Sequence, residues 1–212
     1  MNPELLTCRR MTSGIVYPPI MGLQPVIVNR LYAAISERYP YQSLTHLPDG
    51  ARMANPQSDC FIQQTRMQVN EEIVHFQTAK EKALDIFNTI QEQLEIPQFL
   101  TFGVKLVAFA SFDDIGAAVT FVEDGLLGNL GEKLDMLGDG RQGTGIRIVI
   151  HRDGVHELKI EPFFNDTSQL YVELDVQHPA PFVGLEGLEV KFDMAYDYLF
   201  GDIRTFLAQF NA

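Results

Sequence analysis

Residues 143–179 read GTGIRIVIHRDGVHELKIEPFFNDTSQLYVELDVQHP, and their alternation of apolar and polar side chains decides the fold class. A period of two residues is typical of β-strands that bury one face. The stretch contains three such runs, with apolar residues at Ile146, Ile148 and Ile150, at Leu158 and Ile160, and at Leu170, Val172, Leu174 and Val176. We therefore predict a three-stranded antiparallel meander.

The turn between the first two strands decides which side chains share a face. With a two-residue loop at Asp153 and Gly154, the isoleucines of the first strand would lie on the same face as the charged residues of the second. A three-residue loop from Arg152 to Gly154 instead sets Ile148 opposite Leu158 and restores one apolar face. Gly154 then occupies the left-handed position of a type I turn with a G1 bulge.

The outward face of the predicted meander is rich in charged side chains of both signs. Interleaved charges of this kind are typical of a solvent-exposed face, where each cross-strand ion pair contributes little. The alternative is a docking surface for a basic partner protein. Under that alternative, the candidate interaction face consists of Tyr171, Glu173, Asp175, Glu157 and Lys159.

Composition and charge bound the class of protein. The chain has 212 residues, of which 46% are hydrophobic, and this is enough for one large domain or two small, tightly packed ones. Lys and Arg number 16 against 28 Asp and Glu, which gives a net charge of −12. Since no basic cluster forms a stripe that would bind phosphates, we expect no nucleic acid partner.

Hydropathy argues against a membrane partner. The most apolar window, residues 104–112, has about half the length of a membrane-spanning helix. Polar residues interrupt the first 21 residues, so that no signal-peptide core is present. Cys8 and Cys60 are too few for a disulfide framework, and we expect both to be reduced. These features predict a cytoplasmic protein.

Helical periodicity and strand patterns outside the meander predict the remaining elements. The first predicted helix runs from Pro25 to the residues before Tyr39 and Pro40, and a long amphipathic helix runs from Asn70 as N-cap to about residue 95. A helical region at 115–127 and 130–137 follows the candidate caps Asp113 and Asp114. A last long helix begins near Gly187. The predicted strands are edge strands at 5–9 and 15–17, strands at 43–47, 51–54 and 60–69, and a strand at 99–112 buried on both faces.

The order of these elements repeats along the chain. Strand, helix, three strands and long helix occur over residues 5–95 and again over residues 99–210. We predict an α+β fold of two pseudo-duplicated units, residues 1–95 and 96–212, in which a curved, mainly antiparallel sheet packs against two long amphipathic helices. The physical reason is that each helix has one apolar stripe and each meander one apolar face, so that the layers bury each other.

Residues 125–145 contain seven glycines and are the best candidate for a mobile lid. Within them, residues 138–143 have the spacing G-x-G-x-x-G. A dinucleotide-binding loop needs a strand before it and a helix after it, whereas here the predicted helix comes first. We interpret this run as a helix-to-strand loop and predict no cofactor.

The side chains that carry catalysis are scattered along the chain. The five histidines lack metal-ligand spacing, and we predict no metal site. A nucleophile motif of the type G-x-S-x-G is absent from the sequence. An enzyme that uses His151, His156 and nearby carboxylates is the least supported hypothesis, so the sequence leans against catalysis.

Several features of the chain together resemble a known group. They are an aliphatic segment around Pro18 and Pro19, Tyr39-Pro40 after the first helix, a central amphipathic helix, a meander that ends in an acidic strand, and a final helix that closes on Phe206 and Phe210. This combination resembles a sporadically distributed bacterial family of uncharacterised proteins. The resemblance implies a prokaryotic cytoplasmic protein and assigns no catalytic residues.

Two functional hypotheses follow from the sequence. The first is a non-enzymatic interaction or assembly protein that self-associates or binds a protein partner through the acidic sheet face or the aromatic last helix. The alternative is a small-molecule binding protein with a cavity between sheet and helices, gated by residues 125–145.

Overall fold

The computed structural model describes residues 6–210, with the exception of residues 22, 74, 129–132 and 139. The fold is of the predicted α+β class and contains a nine-stranded antiparallel sheet. The strands are β1 (Thr7–Val16), β2 (Ser43–Leu47), β3 (Gly50–Asn55), β4 (Ser58–Gln63), β5 (Arg66–Glu72), β6 (Thr101–Ser111), β7 (Ile146–Arg152), β8 (Gly154–Pro162) and β9 (Gln169–His178). The helices are α1 (Pro25–Ser36), α2 (Phe76–Leu94), α3 (Ala117–Thr120), α4 (Leu188–Tyr198) and α5 (Arg204–Ala208), with π-helical segments at Phe121–Leu126 and Leu199–Ile203 and a 3-10 turn at Asp135–Leu137.

The order of the strands in the sheet is β2-β3-β4-β5-β1-β6-β9-β8-β7. The predicted meander is confirmed, because β7, β8 and β9 are neighbours. The predicted edge strands at residues 5–9 and 15–17 are wrong: residue 5 lies outside the described residues, and β1 runs unbroken from Thr7 to Val16 in the middle of the sheet. Its inward face holds Met11, Ser13 and Ile15, all buried, and the serine weakens the apolar pattern of a central strand.

The register of the β7–β8 hairpin agrees with the prediction. Ile148 lies opposite Leu158, and Arg152 lies opposite Gly154 with Asp153 at the tip. Gly154 has a φ of 108°, a conformation that L-residues with a side chain rarely adopt. The isoleucines of β7 therefore share a face with Leu158, as the apolar pattern requires.

The predicted single strand at residues 60–69 is wrong, because it is a hairpin of two strands. β4 ends at Gln63 and β5 begins at Arg66, and Ile62 pairs with Met67. The buried residues switch from even positions, as at Ile62, to odd positions, as at Met67. That switch is a sequence signal for a turn, since one strand keeps a strict period of two.

The predicted start of the second helix at Asn70 is also wrong. β5 continues through Asn70 to Glu72, and α2 begins at Phe76 with His75 as an N-cap that makes no side-chain hydrogen bond. Glu71 is buried on the inward face of β5. Its charge is neutralised by Lys82, which reaches it from α2 at 2.7 Å, and this pairing explains why a carboxylate is found in a strand core.

Two further expectations need correction in the second half of the chain. β6 buries one face completely, whereas its other face is half-buried, so that the predicted burial of both faces is only partly right.

Asp113 and Asp114 do not cap α3 with their side chains. Thr167 does so instead, because its hydroxyl oxygen accepts a hydrogen bond from the backbone N–H of Gly116 at 3.0 Å.

The last helical segment begins at Leu188, as predicted, but the second long regular helix is not confirmed. Between α4 and α5, residues Leu199–Ile203 form a π-helical turn. The buried positions Leu199, Ile203 and Leu207 are spaced by four residues, because the π turn accommodates an extra residue. Phe206, which lies at helical spacing from Leu199 and Ile203 in the sequence, is only half-buried.

Gly201 within the π turn gives a testable prediction. A Cβ atom at Gly201 would meet no atom within 4 Å, and its φ is not positive. Gly201→Ala is therefore expected to raise the free energy of unfolding by about 0.5–1 kcal/mol, because it removes chain entropy from the unfolded state. Urea denaturation measures the change. The matched control is Gly116→Ala, which has equal space but a φ of 86° and is expected to be destabilised. Equal effects of the two substitutions would contradict the prediction.

The chain divides into two compact units. Unit 1 consists of Met1–Arg9, Leu106–Asp175 and Met194–Ala212, and unit 2 of Arg10–Lys105 and Val176–Asp193. In unit 1, the rings of Phe109 and Phe163 meet edge to face at 5.2 Å. In unit 2, Phe102 and Phe192 are fully buried, with ring centroids 5.2 Å apart. Among the described residues, no helix has the length and apolar character needed to cross a membrane.

Candidate functional site

The structure brings the predicted interaction face together on the outward side of β8 and β9. The Nζ atom of Lys159 lies 5.7 Å from the ring centroid of Tyr171, and the Tyr171 hydroxyl donates a hydrogen bond to Glu173. Asp175 follows on the same face of β9, and Glu157 forms an ion pair with Arg147. The five side chains are half-buried rather than prominent. Their role in docking a basic partner stays a prediction.

The opposite, apolar face of the hairpin borders an open groove in unit 1 with a volume of about 510 Å³. We call it the β7 groove. Ile148, Ile150 and Leu158 belong to the sheet, and Ile203 and Phe206 to the last helical segment. The lining is completed by Arg152, Tyr198 and Asp202. The small-molecule hypothesis expected a cavity between sheet and helices, gated by residues 125–145, but the sequence did not indicate which strands and which part of the last helix would line it.

Two local features of the sequence leave this groove open. The isoleucines of β7 are only half-buried, whereas Leu158 on β8 and Leu170 on β9 are buried. The π turn places Leu207 in the core and leaves Phe206 half-buried on the side of the helix that lines the groove. π turns occur often at functional sites because they redirect side chains without ending the helix.

A pair of charged side chains lies among the residues that line the groove. Arg152, the last residue of β7, has a guanidinium nitrogen 3.4 Å from a carboxylate oxygen of Asp202. The same guanidinium lies 5.0 Å from the ring centroid of Tyr198. The two charged side chains are 53% and 70% exposed, so their pairing contributes little to stability and leaves both accessible to a bound molecule.

His156 is buried next to Tyr198, with the two rings edge to face at 5.2 Å. Its strand partner is Ile150, which lines the groove. Neither ring nitrogen makes a hydrogen bond of normal geometry. Burial lowers the pKa of His156, while the nearby Asp153 backbone opposes this shift and the Arg152 charge adds to it. We infer a neutral imidazole at neutral pH.

His151 and His156 do not form a pair. His151 is exposed and lies on the outward face of the hairpin, whereas His156 shares the inward face with Leu158. The arrangement therefore gives no support to an enzyme that uses the two histidines together.

The lowered pKa of His156 predicts a pH dependence of stability. In the unfolded chain the imidazole binds a proton near its ordinary pKa of 6.5, whereas in the folded chain it does so only at lower pH. Stability is thus lost as the pH falls below 6.5 and towards the folded-state value. We expect His156→Phe to lose less stability than wild type between about pH 7.5 and about pH 5.5. Urea denaturation at both pH values measures the difference, and equal losses would contradict the assignment.

Unit 2 contains a polar cluster that sequence reasoning missed. The Ser58 hydroxyl donates to a carboxylate oxygen of Glu71 at 2.5 Å, and Lys82 donates to the Ser58 oxygen at 2.8 Å. Tyr41 lies 3.2 Å from the same serine, with its ring 5.0 Å below the Lys82 ammonium. Burial raises the pKa of Tyr41 well above its ordinary range. The Lys82 ammonium thus neutralises the buried Glu71 carboxylate, and Ser58 donates a further hydrogen bond to it. The signal in the sequence was the position of Glu71, in phase with buried Met67 and Val69.

The described part of the glycine-rich segment 125–145 is held by Arg141. Its guanidinium donates to Glu123, to Asp135 at 2.8 Å and to the Thr144 hydroxyl at 3.1 Å. Asp139, within the G-x-G-x-x-G run, and residues 130–132 of the predicted helical region lie outside the described residues. Among the described residues of this segment, none lines the β7 groove. The structure thus gives the lid hypothesis no support.

Comparison with known proteins gives no assignment. No protein-family model matches the chain, and no curated protein matches its sequence. Across the residues that the structure describes, no group of three or more His, Cys, Asp and Glu side chains is arranged to hold a metal ion. The case for a function therefore comes from the geometry of the site itself.

Proposed function

We propose that this protein is a non-enzymatic interaction protein that binds apolar side chains of a partner in the β7 groove. The observation that carries the proposal is the open, apolar groove of about 510 Å³ between the β7–β8 hairpin and the last helical segment. The proposal keeps one of the two surfaces expected from the sequence, the aromatic last helix, as the binding element.

The chemistry of the groove supports binding rather than catalysis. Its floor is aliphatic, and Phe206 and Tyr198 add aromatic walls of the kind that supply much of the energy at protein interfaces. The nearest histidine, His156, is buried beside Tyr198 rather than presented to the groove. Exposed apolar surface that a protein leaves uncovered commonly marks a contact with another molecule.

A small-molecule ligand in the same groove is the second candidate function. The groove volume lies within the range of about 300–1,000 Å³ that is usual for ligand sites. The Arg152–Asp202 pair favours this candidate, because a charged side chain among apolar walls orients a ligand with one polar end. In this function the bound compound would be amphipathic.

Site-specific photocrosslinking tests the proposal. A benzoylphenylalanine in place of Phe206 would form a covalent bond with whatever occupies the groove in living cells. The matched control carries the same group in place of Ile115, which is 88% exposed in the same unit and outside the groove. We expect one protein to be crosslinked at 206 and not at 115. That protein is then purified, and Phe206→Asp is expected to weaken its binding by at least about tenfold.

Three outcomes separate the candidates. A purified partner that binds wild type and not Phe206→Asp supports the interaction function. A small molecule that is crosslinked at 206, without a protein, replaces the first proposal by the second. If nothing is crosslinked at 206 beyond the control, both candidates are overturned.

We further propose that the fold arose by internal duplication with two long helices, one in each half. The strand order supports this proposal. In the first half the run β3-β4-β5 ends beside β1, and in the second half the run β7-β8-β9 ends beside β6. β2 is then an additional edge strand of the first half. The segments α2 and α4 to α5 would be the equivalent helices, the second with a π turn inserted.

The cellular setting is likewise proposed. The net charge of −12 and the absence of a basic stripe favour a protein partner over nucleic acid. A cytoplasmic, prokaryotic protein that self-associates remains the setting that we propose, and a second copy of the chain would then be among the proteins crosslinked at 206. Size-exclusion chromatography with light scattering measures the oligomeric state directly.

A further inference from the structure

The edge of the sheet beside the groove has the geometry of a binding strand. β7 stands at one end of the strand order, and among the described residues its hydrogen-bonded neighbour is β8 alone. It is seven residues long and alternates isoleucine with Arg147, Val149 and His151. An edge strand presents backbone N–H and C=O groups in a row, and proteins use such edges to recruit an extended segment of another chain.

The apolar face of β7 is incompletely covered. Ile146, Ile148 and Ile150 are half-buried, although their neighbours on β8, Leu158 and Ile160, are buried. The groove begins at these isoleucines. A strand added beside β7 would place every second side chain over the groove, because side chains alternate between the two faces of a sheet.

The side-chain charges of β7 itself and of the residues just before it indicate the chemistry of the added strand. Residues 141–152, RQGTGIRIVIHR, contain three arginines and one histidine and no acidic residue, in a chain with a net charge of −12. Arg147 and Arg152 have intramolecular ion pairs, yet their side chains are 65% and 53% exposed. An acidic segment is therefore complementary to this edge.

Self-pairing of β7 is less favourable than pairing with an acidic segment. In an antiparallel pair of two β7 strands centred on Val149, Arg147 of each copy would lie opposite His151 of the other. Neither copy would bring a carboxylate to this pairing, whereas an acidic segment places one next to Arg147.

We propose that β7 accepts an additional strand from an extended segment of a partner protein, in which apolar residues alternate with Asp or Glu. The backbone of the segment pairs with β7, its apolar side chains enter the β7 groove beside Ile148 and Ile150, and its carboxylates lie on the outward face with Arg147 and His151. This inference rests on the proposed interaction function and specifies its partner.

The test uses a fluorescein-labelled peptide of about eight residues that alternates valine with glutamate, a length that natural strands commonly have. Fluorescence anisotropy measures its binding to the full-length protein, and amide hydrogen exchange measures the protection of β7. One control peptide alternates valine with lysine. A second control replaces the central valine of the acidic peptide by proline, which removes a backbone donor.

We expect saturable binding of the valine-glutamate peptide and about tenfold slower exchange of β7 amides in its presence. Both control peptides are expected to bind at least about tenfold more weakly. The double variant Arg147→Glu and His151→Glu, which places both changes on the outward face of β7, is expected to reverse the preference in favour of the valine-lysine peptide. Circular dichroism shows whether the variant is folded, and salt titration of wild type gives the electrostatic contribution if it is not.

Other results overturn the inference. Absence of binding, equal affinity for the acidic and basic peptides, or binding that leaves β7 exchange unchanged each exclude strand addition. If a partner is crosslinked at 206 while β7 stays unprotected, the interaction function stands and strand addition fails. If no partner is crosslinked and no peptide binds, both fail.

Discussion

Lys82→Met is expected to lower the free energy of unfolding by about 3–5 kcal/mol, because it leaves the Glu71 carboxylate buried without its cation. The two charged atoms are 2.7 Å apart, and the side chains are 14% and 10% exposed. Methionine keeps most of the volume of the lysine side chain, so that the loss reports on charge rather than on packing. Urea denaturation of the purified variant measures it.

The double variant Lys82→Met with Glu71→Gln isolates the cause. Because the glutamine amide is neutral and hydrogen-bonds Ser58, we expect about half or more of the lost stability to return. The matched control is Arg52→Met, which breaks a pair with Asp59 in the same unit whose arginine is 47% exposed. The control is expected to cost less than about 1 kcal/mol. A double variant less stable than Lys82→Met itself would show that the uncompensated charge is not the cause.

Gly50→Ala is expected to destabilise the protein by about 3 kcal/mol, at the upper end of the range for overpacking. A Cβ atom at Gly50 would lie 1.9 Å from the backbone oxygen of Ile62 and 2.8 Å from the Cα of Gln63. These atoms belong to β4, which pairs with β3, so that relief requires the two strands to separate. Thermal unfolding followed by circular dichroism measures the loss.

Gly103→Ala provides the comparison for this effect. Its Cβ would also be too close to a neighbour, at 2.5 Å, but the neighbour is the end of the exposed Gln177 side chain, which rotates away. We expect a loss below about 1 kcal/mol. If the two alanine variants are equally stable, the close approach of β3 and β4 is not what requires glycine at position 50.

The parts of the fold that the sequence predicted are those with strong local patterns. The β7–β8 register followed from one requirement, that isoleucines and carboxylates do not share a face. Gly154 could adopt the positive φ that the resulting three-residue turn needs. α1 was predictable from Pro25 at its start and Pro40 beyond its end. In both cases short-range physics and the final packing agree, so a local pattern sufficed.

Two of the errors arose where a residue elsewhere in the chain compensates for a locally unfavourable one. Glu71 in a strand core depends on Lys82, and the capping of α3 depends on Thr167, far away in the sequence. The β7 groove has the same origin. Its floor comes from β7 and β8 and its wall from the π turn after Tyr198, and no pattern in either stretch shows that Phe206 leaves the core.

The interleaving of the two units has a consequence for synthesis on the ribosome. Unit 2 begins at Arg10 but is completed by residues 176–193, which supply Phe182 beside Phe99 and the carboxylates of Glu189 and Asp193 for buried Lys80. At roughly 5–20 residues per second, these partners emerge several seconds after Lys80 does. The nascent chain must therefore carry Lys80 without its two carboxylate partners, and Phe99 without Phe182, until residues 176–193 have been synthesised.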